Sequence, residues 1–194
     1  AGENPFDDYD GTTFASEWTF KYQLAQRPGG MTIGGLYSIN GSRLSVGEDP
    51  LILVQDVLAG NSLKTEKDAW AVYWNGFQYL QGDEKRGWGV FGRFGFSDGD
   101  PNPIAWSMAA GIGGVGLLPG RDRDRWGVGV YYLKYADDGV IEALGIDDET
   151  GGEVFYNIEL TPWMHMTLDA QVADSAIPNI DTAFVLGARV AVRF

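Results

Sequence analysis

The chain has 194 residues, a formal net charge of -13 and no cysteine. Without cysteine it can form no disulfide, no thiolate metal site and no cysteine-based active site. The acidic balance and the lack of a dense basic cluster argue against binding to nucleic acid. The length suits one domain, and because no run of about 18 apolar residues occurs, no membrane-spanning helix is predicted.

Hydropathy alone does not exclude a membrane protein built from strands. Glycine is abundant, with 28 residues, and aromatic residues make up 13% of the chain. A transmembrane barrel escapes a hydropathy test because only alternate residues of each strand face lipid. Residues 1–11 are acidic and rich in turn formers, and they lack the basic start and apolar core of a signal peptide. We expect a surface loop there, with any export signal either removed or never present.

Nine segments alternate apolar and polar residues with the period of two that is typical of β-strands. The last is the clearest, because its even positions from Phe184 onward are wholly apolar while its odd positions mix mainly small residues with Arg189 and Arg193. Each segment is near the roughly 9–11 residues that a tilted membrane strand needs. The predicted strands are residues 13–26, 31–39, 68–81, 87–97, 104–118, 125–136, 152–160, 163–173 and 181–194.

The connections between these segments alternate in length. Short turns are predicted at residues 27–30, 82–86, 119–124 and 161–162, and most of the loops between them are longer. The longest loop contains an apolar patch that predicts a short helix at residues 51–58, and an acidic loop contains one predicted helical turn at residues 140–144. Short turns at one end and longer loops at the other are typical of an up-and-down outer-membrane barrel.

Tryptophan residues lie near the predicted strand ends, where a membrane barrel carries its interfacial girdles. These residues are Trp18, Trp70, Trp88, Trp126 and Trp163. A soluble β-sandwich lectin would also alternate, but it would not explain uniformly apolar faces with so many aromatic residues at strand ends. The sequence therefore predicts an all-β fold, a transmembrane antiparallel up-and-down β-barrel.

The direction of the chain follows if Phe194 is placed on the periplasmic side. All short turns are then periplasmic and all long loops are extracellular. Because the number of segments is odd, the first strand must also run inward, and nine strands alone would leave edges that lipid does not tolerate. We therefore expect residues 1–194 to form a single domain that is the C-terminal part of a larger barrel.

Several stretches occur in the order RPGGMTIGGLYS, RGWGVFGRFGFSDGDPNPIAW, GLLPGRDRDRWGVGVYYLKYADD, DDETGGEVFYNIELTPWMHMTLDAQ and DTAFVLGARVAVRF. Together they resemble the carbohydrate-selective porin family, the OprB-like outer-membrane porins. The resemblance implies a sixteen-stranded barrel in the outer membrane of a Gram-negative bacterium, of which these would be the last nine strands. It also implies passive diffusion of monosaccharides such as glucose. The loop that usually narrows the channel would precede this chain, so no constriction residue is carried over.

The polar face of each predicted strand supplies the candidate pore-lining residues. Arginine, carboxylate, amide and tyrosine groups can hydrogen-bond vicinal sugar hydroxyls, and aromatic rings can contact the C–H side of a sugar. The opposing interpretation is that these charges only pair across the barrel and hold the lumen open. As a set, the lining fits a neutral polar solute better than a single-sign ion filter. The residues are Glu17, Lys21, Tyr73, Asn75, Arg93, Arg125, Tyr131, Glu153, Asn157, Glu159, Asp169, Gln171, Arg189 and Arg193.

The expected partners are small carbohydrate solutes, outer-membrane lipid and the barrel-assembly machinery, which would engage the C-terminal strand. Association into a homo-oligomer stays open, and no cofactor and no enzymatic activity are expected. Two alternatives also stay open: a general or anion-leaning porin of the same fold, and a non-transporting barrel that acts as an adhesin or a structural anchor.

Other candidate sites are weaker. His165 is the only histidine, which argues against a histidine-containing metal cluster, and its place beside a short turn argues against a lipase-like triad. The acidic run at residues 147–149 matches no EF-hand spacing, so we expect a solvated loop. Asp122 and Asp124, interleaved with arginines, predict a self-neutralising turn.

Overall fold

The computed structural model describes residues 11–41 and 43–193. Nine long strands form one antiparallel sheet in the order β1-β2-β5-β6-β7-β8-β9-β10-β11, and β3 and β4 form a small separate ribbon. The nine predicted strands and their up-and-down order are confirmed. The elements are β1 (Thr12–Leu24), β2 (Arg27–Ile39), β3 (Arg43–Leu44), α1 (Pro50–Ala59), β4 (Thr65–Glu66), β5 (Ala69–Gly82), β6 (Gly87–Ser97), β7 (Ile104–Val115), β8 (Arg125–Tyr135), α2 (Gly139–Ala143), β9 (Glu149–Thr161), β10 (Met164–Asp174) and β11 (Ala183–Val192).

Directly opposed residues of neighbouring strands lie on the same face of a sheet. The register therefore aligns the alternating residues of each strand into rows that cross the whole sheet. One row runs from Thr32 through Asn75, Arg93 and Ala109 to Tyr131. The adjacent row of the opposite face is Ile33, Trp74, Phe94, Met108 and Tyr132. We call the side with Asn75 and Arg93 the polar face and the side with Trp74 and Phe94 the apolar face.

The apolar face is covered by no other part of the described chain. Leu186 and Phe184 in β11 are 85% and 80% exposed, and Trp18 in β1 is 65% exposed. A contiguous apolar surface of this kind marks contact with a membrane or a partner rather than with water. No helix among residues 11–41 and 43–193 is long and apolar enough to cross a membrane.

The first hairpin turn lies earlier than predicted. Leu24 pairs with Arg27, which leaves Ala25 and Gln26 as a two-residue loop with φ angles of 51° and 62°. Two positive φ angles give the turn whose twist matches a hairpin, so the prediction of a turn at residues 27–30 was wrong. The glycines there make room for rings instead, since a Cβ on Gly29 would lie 2.5 Å from Cε2 of Tyr22.

Two other predicted boundaries move by three residues. β7 ends at Val115 rather than at residue 118, and β9 begins at Glu149 rather than at residue 152. The earlier start of β9 arises because Leu133 and Tyr132 of β8 continue the ladder to Glu149 and Thr150. Glu149, the last residue of the acidic run, therefore lies in the sheet.

The aromatic girdle is also partly different from the prediction. Trp18 lies in the middle of β1, opposite Ile33, so its assignment to a strand end was wrong. Trp106 instead lies near a strand end, at the start of β7. Its ring centroid is 4.8 Å from that of Tyr132 in β8 and 5.9 Å from that of Phe94 in β6.

Four connections pack together at one end of the sheet, which we call the loop end, as opposed to the turn end. These connections, residues 40–68, 98–103, 136–148 and 175–182, are the loop layer. They contain both predicted helical segments. The carboxylate of Asp49 accepts a hydrogen bond from the Leu51 backbone N–H (2.8 Å) at the start of α1, Pro50 occupies its first turn, and Gly60 ends it at φ 71°, an arrangement favoured at both helix ends. Phe194 and residues 1–10 lie outside the described residues.

Candidate functional site

The register brings the predicted pore-lining residues onto one side of the sheet. From Glu17 in β1 to Arg189 in β11, those that lie in strands share the polar face. Arg193 follows β11 directly and continues its alternation, and its backbone N–H donates to the Trp163 carbonyl at 2.9 Å. The sequence pattern thus placed these residues on a common face before the strand register was known.

One group of these residues meets near the middle of the sheet. The Tyr73 hydroxyl donates to the Glu17 carboxylate, and Nε of Arg93 donates to Oδ1 of Asn75 at 2.9 Å. These four residues and Tyr131 border a hollow of about 570 Å³ on the polar face. Residues from β1, β5, β6 and β8 are therefore brought together by the sheet.

A second group lies across β8, β9 and β10. Nδ2 of Asn157 donates to the hydroxyl of Thr167 at 2.7 Å, and Nε2 of Gln171 contacts the Asp169 carboxylate at 3.2 Å. These bonds orient the amide groups along the polar face.

The basic residues of the polar face are not paired with carboxylates. Within residues 11–41 and 43–193, the six ion pairs involve none of Arg93, Arg125 and Arg189, nor Lys21 and Arg193. All five side chains are exposed. Among the described residues these basic side chains therefore form no ion pair, although Nε of Arg93 is already bonded to Asn75.

Glu159 is different, because it does form an ion pair. Nη1 of Arg123 lies 2.9 Å from its Oε1. His165 is directly opposite Glu159 on the polar face, at the turn end. Glu159 is thus bonded to the β7–β8 turn.

The polar face also carries rings that sequence reasoning did not assign to the site: Phe77, Phe91 and Phe155. Each ring lies beside a glycine of a neighbouring strand and occupies the space that a side chain would take at that glycine. A Cβ on Gly127, for example, would lie 2.5 Å from Cε1 of Phe155. The alternating position of each ring was visible in the sequence, but its glycine partner could be found only from the register.

At the turn end, Asp124 is the most enclosed charged group. The residue is 1% exposed, and its carboxylate accepts hydrogen bonds from Arg121 (2.7 and 2.8 Å), the Glu159 backbone N–H (2.9 Å) and the Tyr156 hydroxyl (3.0 Å). Burial alone would raise the pKa of Asp124, but the bonds from Arg121, Glu159 and Tyr156 outweigh it and hold that pKa below its ordinary value. Asp124 therefore ties the β7–β8 turn to β9.

The prediction of a self-neutralising turn is only partly correct. Arg121 and Asp124 do pair within the turn. Asp122 instead pairs with Arg86 of the neighbouring turn at 3.1 Å, and Arg123 pairs with β9. The charges neutralise one another across adjacent hairpins because those hairpins lie side by side at the turn end.

At the loop end, the prediction of a solvated loop at residues 147–149 is only partly correct, because Asp147 is exposed but Asp148 and Glu149 are half-buried and bonded to β8. Tyr132 donates to the Asp148 carboxylate, and Tyr131 donates to Glu149 at 2.8 Å. Nζ of Lys134 lies 3.2 Å from Asp148. The carboxylates are held by β8 because β9 starts at Glu149. Among the described residues, no group of three or more His, Asp or Glu side chains could hold a metal ion.

A segment of the loop layer crosses the loop end of the polar face. We call residues 43–48 the strap. Arg43 donates to the Ser38 hydroxyl at 2.7 Å, and Ser38 stands on the polar face opposite Thr13. Further along, the Ser45 hydroxyl (2.7 Å) and the Val46 backbone N–H (2.8 Å) both donate to the Asp100 carboxylate.

The far end of the strap reaches the connection between β8 and β9. There the Val140 backbone N–H donates to the Val46 carbonyl at 2.9 Å. The strap leaves the sheet between its second and third strands, whereas Val140 lies between the sixth and seventh. The contact between Val46 and Val140 therefore joins two connections that leave the sheet four strand positions apart.

The chain matches the family described as "Carbohydrate-selective porin, OprB family" over residues 5–194. Two solved structures of Pseudomonas putida OprB share the fold. The high-pH structure is 21% identical with a TM-score of 0.80, covering 94% of this chain and 49% of that one. The low-pH structure is 16% identical with a TM-score of 0.65, covering 95% of this chain and 47% of that one.

The chain thus spans about half the length of the solved structures that it matches. No curated protein matches it. The family is one of transport channels in the outer membrane rather than of enzymes. Because the family match extends over nearly the whole chain, and the sheet has the fold of a known member, this chain belongs to the carbohydrate-selective porin family OprB.

Proposed function

We propose that the polar face lines a water-filled channel through the outer membrane of a Gram-negative bacterium, through which glucose-like monosaccharides diffuse passively. The observation that carries the proposal is the register: it collects on one face the thirteen predicted residues that lie in strands, and it leaves the other face largely apolar. Such a sheet suits lipid on one side and water on the other.

The chemistry of the face supports a neutral, hydroxyl-rich solute. The fourteen residues include five basic and four acidic side chains, so neither sign dominates. Exposed guanidinium groups offer paired donors for vicinal hydroxyls, and the carboxylates and amides offer acceptors. Each contact must be weak, because a solute that binds tightly would stop the flux.

We further propose that residues 1–194 form the C-terminal part of a sixteen-stranded barrel. The outer edges of β1 and β11 pair with no strand among the described residues, and unpaired strand edges are not tolerated in lipid. Additional strands would satisfy both edges. Lipid would cover the apolar face, and the barrel-assembly machinery would engage β11 during insertion. Association into a homo-oligomer is left open.

Liposome swelling with the intact protein tests the function. We expect glucose to enter faster than a disaccharide of the same osmolarity. Arg93→Gln should alter the rate for glucose, whereas Lys85→Gln, in an exposed turn, serves as the matched control. Equal entry rates for the two sugars, or entry rates that depend on molecular size alone, would contradict a carbohydrate preference.

A general or anion-leaning porin is the second candidate, and the unpaired arginines favour it. It predicts that chloride passes as readily as glucose and that sugar does not reduce the ion current. Reversal potentials in planar bilayers decide between the two. A folded protein that conducts nothing would instead indicate a structural or adhesive barrel.

A further inference from the structure

Two phenylalanine rings converge on β8 from opposite sides. Phe155 of β9 lies over Gly127: a Cβ there would be 2.5 Å from Cε1 and 3.0 Å from Cζ of the ring. Phe91 of β6 reaches across β7 to Gly129, where a Cβ would be 3.2 Å from its Cζ. Gly127 and Gly129 are neighbours on the polar face. Both rings therefore lie low against the sheet, on a strip that has no side chains.

The strip forms the floor of a hollow of about 240 Å³. Phe91, Phe155 and Tyr131 border the hollow, and Tyr131 is held in place by its hydrogen bond to Glu149 at 2.8 Å. A hollow of this size has room for one small ring-shaped solute.

Two polar side chains border the same hollow on one side. Glu153 of β9 is directly opposed to Gln171 of β10, and both are exposed. Among the described residues the Glu153 side chain has no hydrogen-bond or ion-pair partner. Nε2 of Gln171 donates to Asp169, and the side-chain carbonyl oxygen of Gln171 remains able to accept a hydrogen bond. Acceptors thus stand beside an aromatic floor.

We propose that Phe91, Tyr131 and Phe155, over Gly127 and Gly129, form a contact site for a single pyranose ring, with Glu153 and Gln171 accepting hydrogen bonds from its hydroxyl groups. A pyranose has an apolar C–H side for the rings and a rim of hydroxyls for the acceptors. The Glu153 carboxylate disfavours anions at this place. The proposal deepens the proposed function and rests on it.

A purely structural role for the rings is the competing explanation, since aromatic side chains that cover glycines also stabilise a sheet. The test must therefore separate binding from folding. In planar bilayers containing the intact protein, added glucose reduces the ion current in proportion to site occupancy. The titration gives an apparent glucose affinity, and the current without sugar reports the intact channel.

The variants are Phe155→Leu, which keeps an apolar side chain but loses the ring, and Gly127→Ala, which displaces the ring because the three atoms nearest to its Cβ would all belong to Phe155. Each should weaken the apparent glucose affinity roughly fivefold, the size of one weak aromatic contact. Gly35→Ala on the apolar face is the matched control, since its Cβ would be 3.4 Å from Cγ1 of Val72 and 3.5 Å from the Ala71 carbonyl. It should leave the affinity unchanged.

Wild-type glucose affinity in folded Phe155→Leu and Gly127→Ala channels would overturn the proposal. Should either variant fail to fold, Glu153→Ala at the exposed edge gives the answer, and an unchanged affinity there also overturns it. Glucose passage without any sugar-dependent reduction of the current would refute this site but leave the proposed function intact. An ion channel that excludes glucose would refute the proposed function itself.

Discussion

The sheet and the loop layer at its end hold their shape in different ways. Among residues 11–41 and 43–193, the buried apolar side chains are Ala136, Ile141 and Ala176, all in the loop layer. The sheet, although far larger, contributes none. Its side chains project to two sides, whereas the connections of the loop layer pack against one another.

The difference follows from what each region meets. A single sheet has no second layer to bury its faces against, so it depends on backbone ladders and on a separate environment for each face. The loop layer leaves the plane of the sheet and must make its own small interior. It does so with hydrogen bonds to polar groups such as Ser45 as well as with apolar packing. Changes to the faces and to the loops should therefore have different consequences.

The largest effect is expected from a charge on the apolar face. Leu168 lies on that face in the middle of β10. Leu168→Lys should destabilise the protein in lipid by about 2–4 kcal/mol, the cost of a basic side chain at the bilayer midplane. Gln171→Lys, on the polar face of the same strand, should change stability little. Urea unfolding in lipid vesicles measures both, and equal costs would mean that the two faces do not meet different environments.

A smaller effect is expected at the turn end from loss of the buried Asp124 carboxylate. Asp124→Ala removes four hydrogen bonds and should cost about 1–3 kcal/mol, the penalty for unsatisfied buried partners. Asp122→Ala removes an exposed ion pair and should cost below about 1 kcal/mol. A similar loss from both would show that the burial of Asp124 is unimportant.

Asp124 also predicts a pH dependence. Since its pKa is lowered in the folded state, its stabilisation is complete above the unfolded value of about 3.9 and is lost as the pH falls from there through the folded pKa. The unfolding midpoint of the wild type should drop in this acid range more than that of Asp124→Asn. Parallel midpoints for the two proteins would contradict the assignment.

At the loop end, Asp100→Ala should release the strap without affecting the sheet. The change removes the hydrogen bonds from Ser45 and Val46 and should cost about 1–2 kcal/mol locally. Limited proteolysis should then cut within residues 43–48 while the heat-induced transition of the sheet stays in place. Asp56→Ala, which loses only an exposed bond to Asn61 at 3.0 Å, is the control. A lowered transition of the whole sheet would show that the two regions are not independent.

The smallest effect concerns the end of α1. Gly60 has φ 71°, and a Cβ added to it would meet no other atom within 4 Å, so Gly60→Ala introduces backbone strain but no clash. We expect a cost of about 1 kcal/mol, confined to the loop layer. Amide hydrogen exchange of residues 50–59 should accelerate while exchange in β5 stays unchanged. Slower or equal exchange in the helix would contradict the role of this cap.

The sequence predicted most reliably those features that depend on the residues of a single strand. Alternation in β11 and in β10 was enough to assign the faces of Arg189 and Asp169, because the two-residue period depends on the local backbone alone. The positions of Phe91 and Phe155 beside glycines were missed for the opposite reason. Which residue of a neighbouring strand stands opposite depends on the register, and hairpin turns such as Ala25-Gln26 set it.

The amino-acid sequence by itself determined the nine long strands, their up-and-down order and the division of their side chains between two faces, because alternation and turn chemistry are properties of short segments. Tertiary structure alone decided the positions of Asp124, Glu149 and the strap. Asp124 is enclosed by residues of β9, Glu149 joins the sheet because β8 extends to meet it, and Val46 meets Val140 nearly a hundred positions away in the chain. Such contacts form only after the sheet has brought distant segments together, and no local pattern records them.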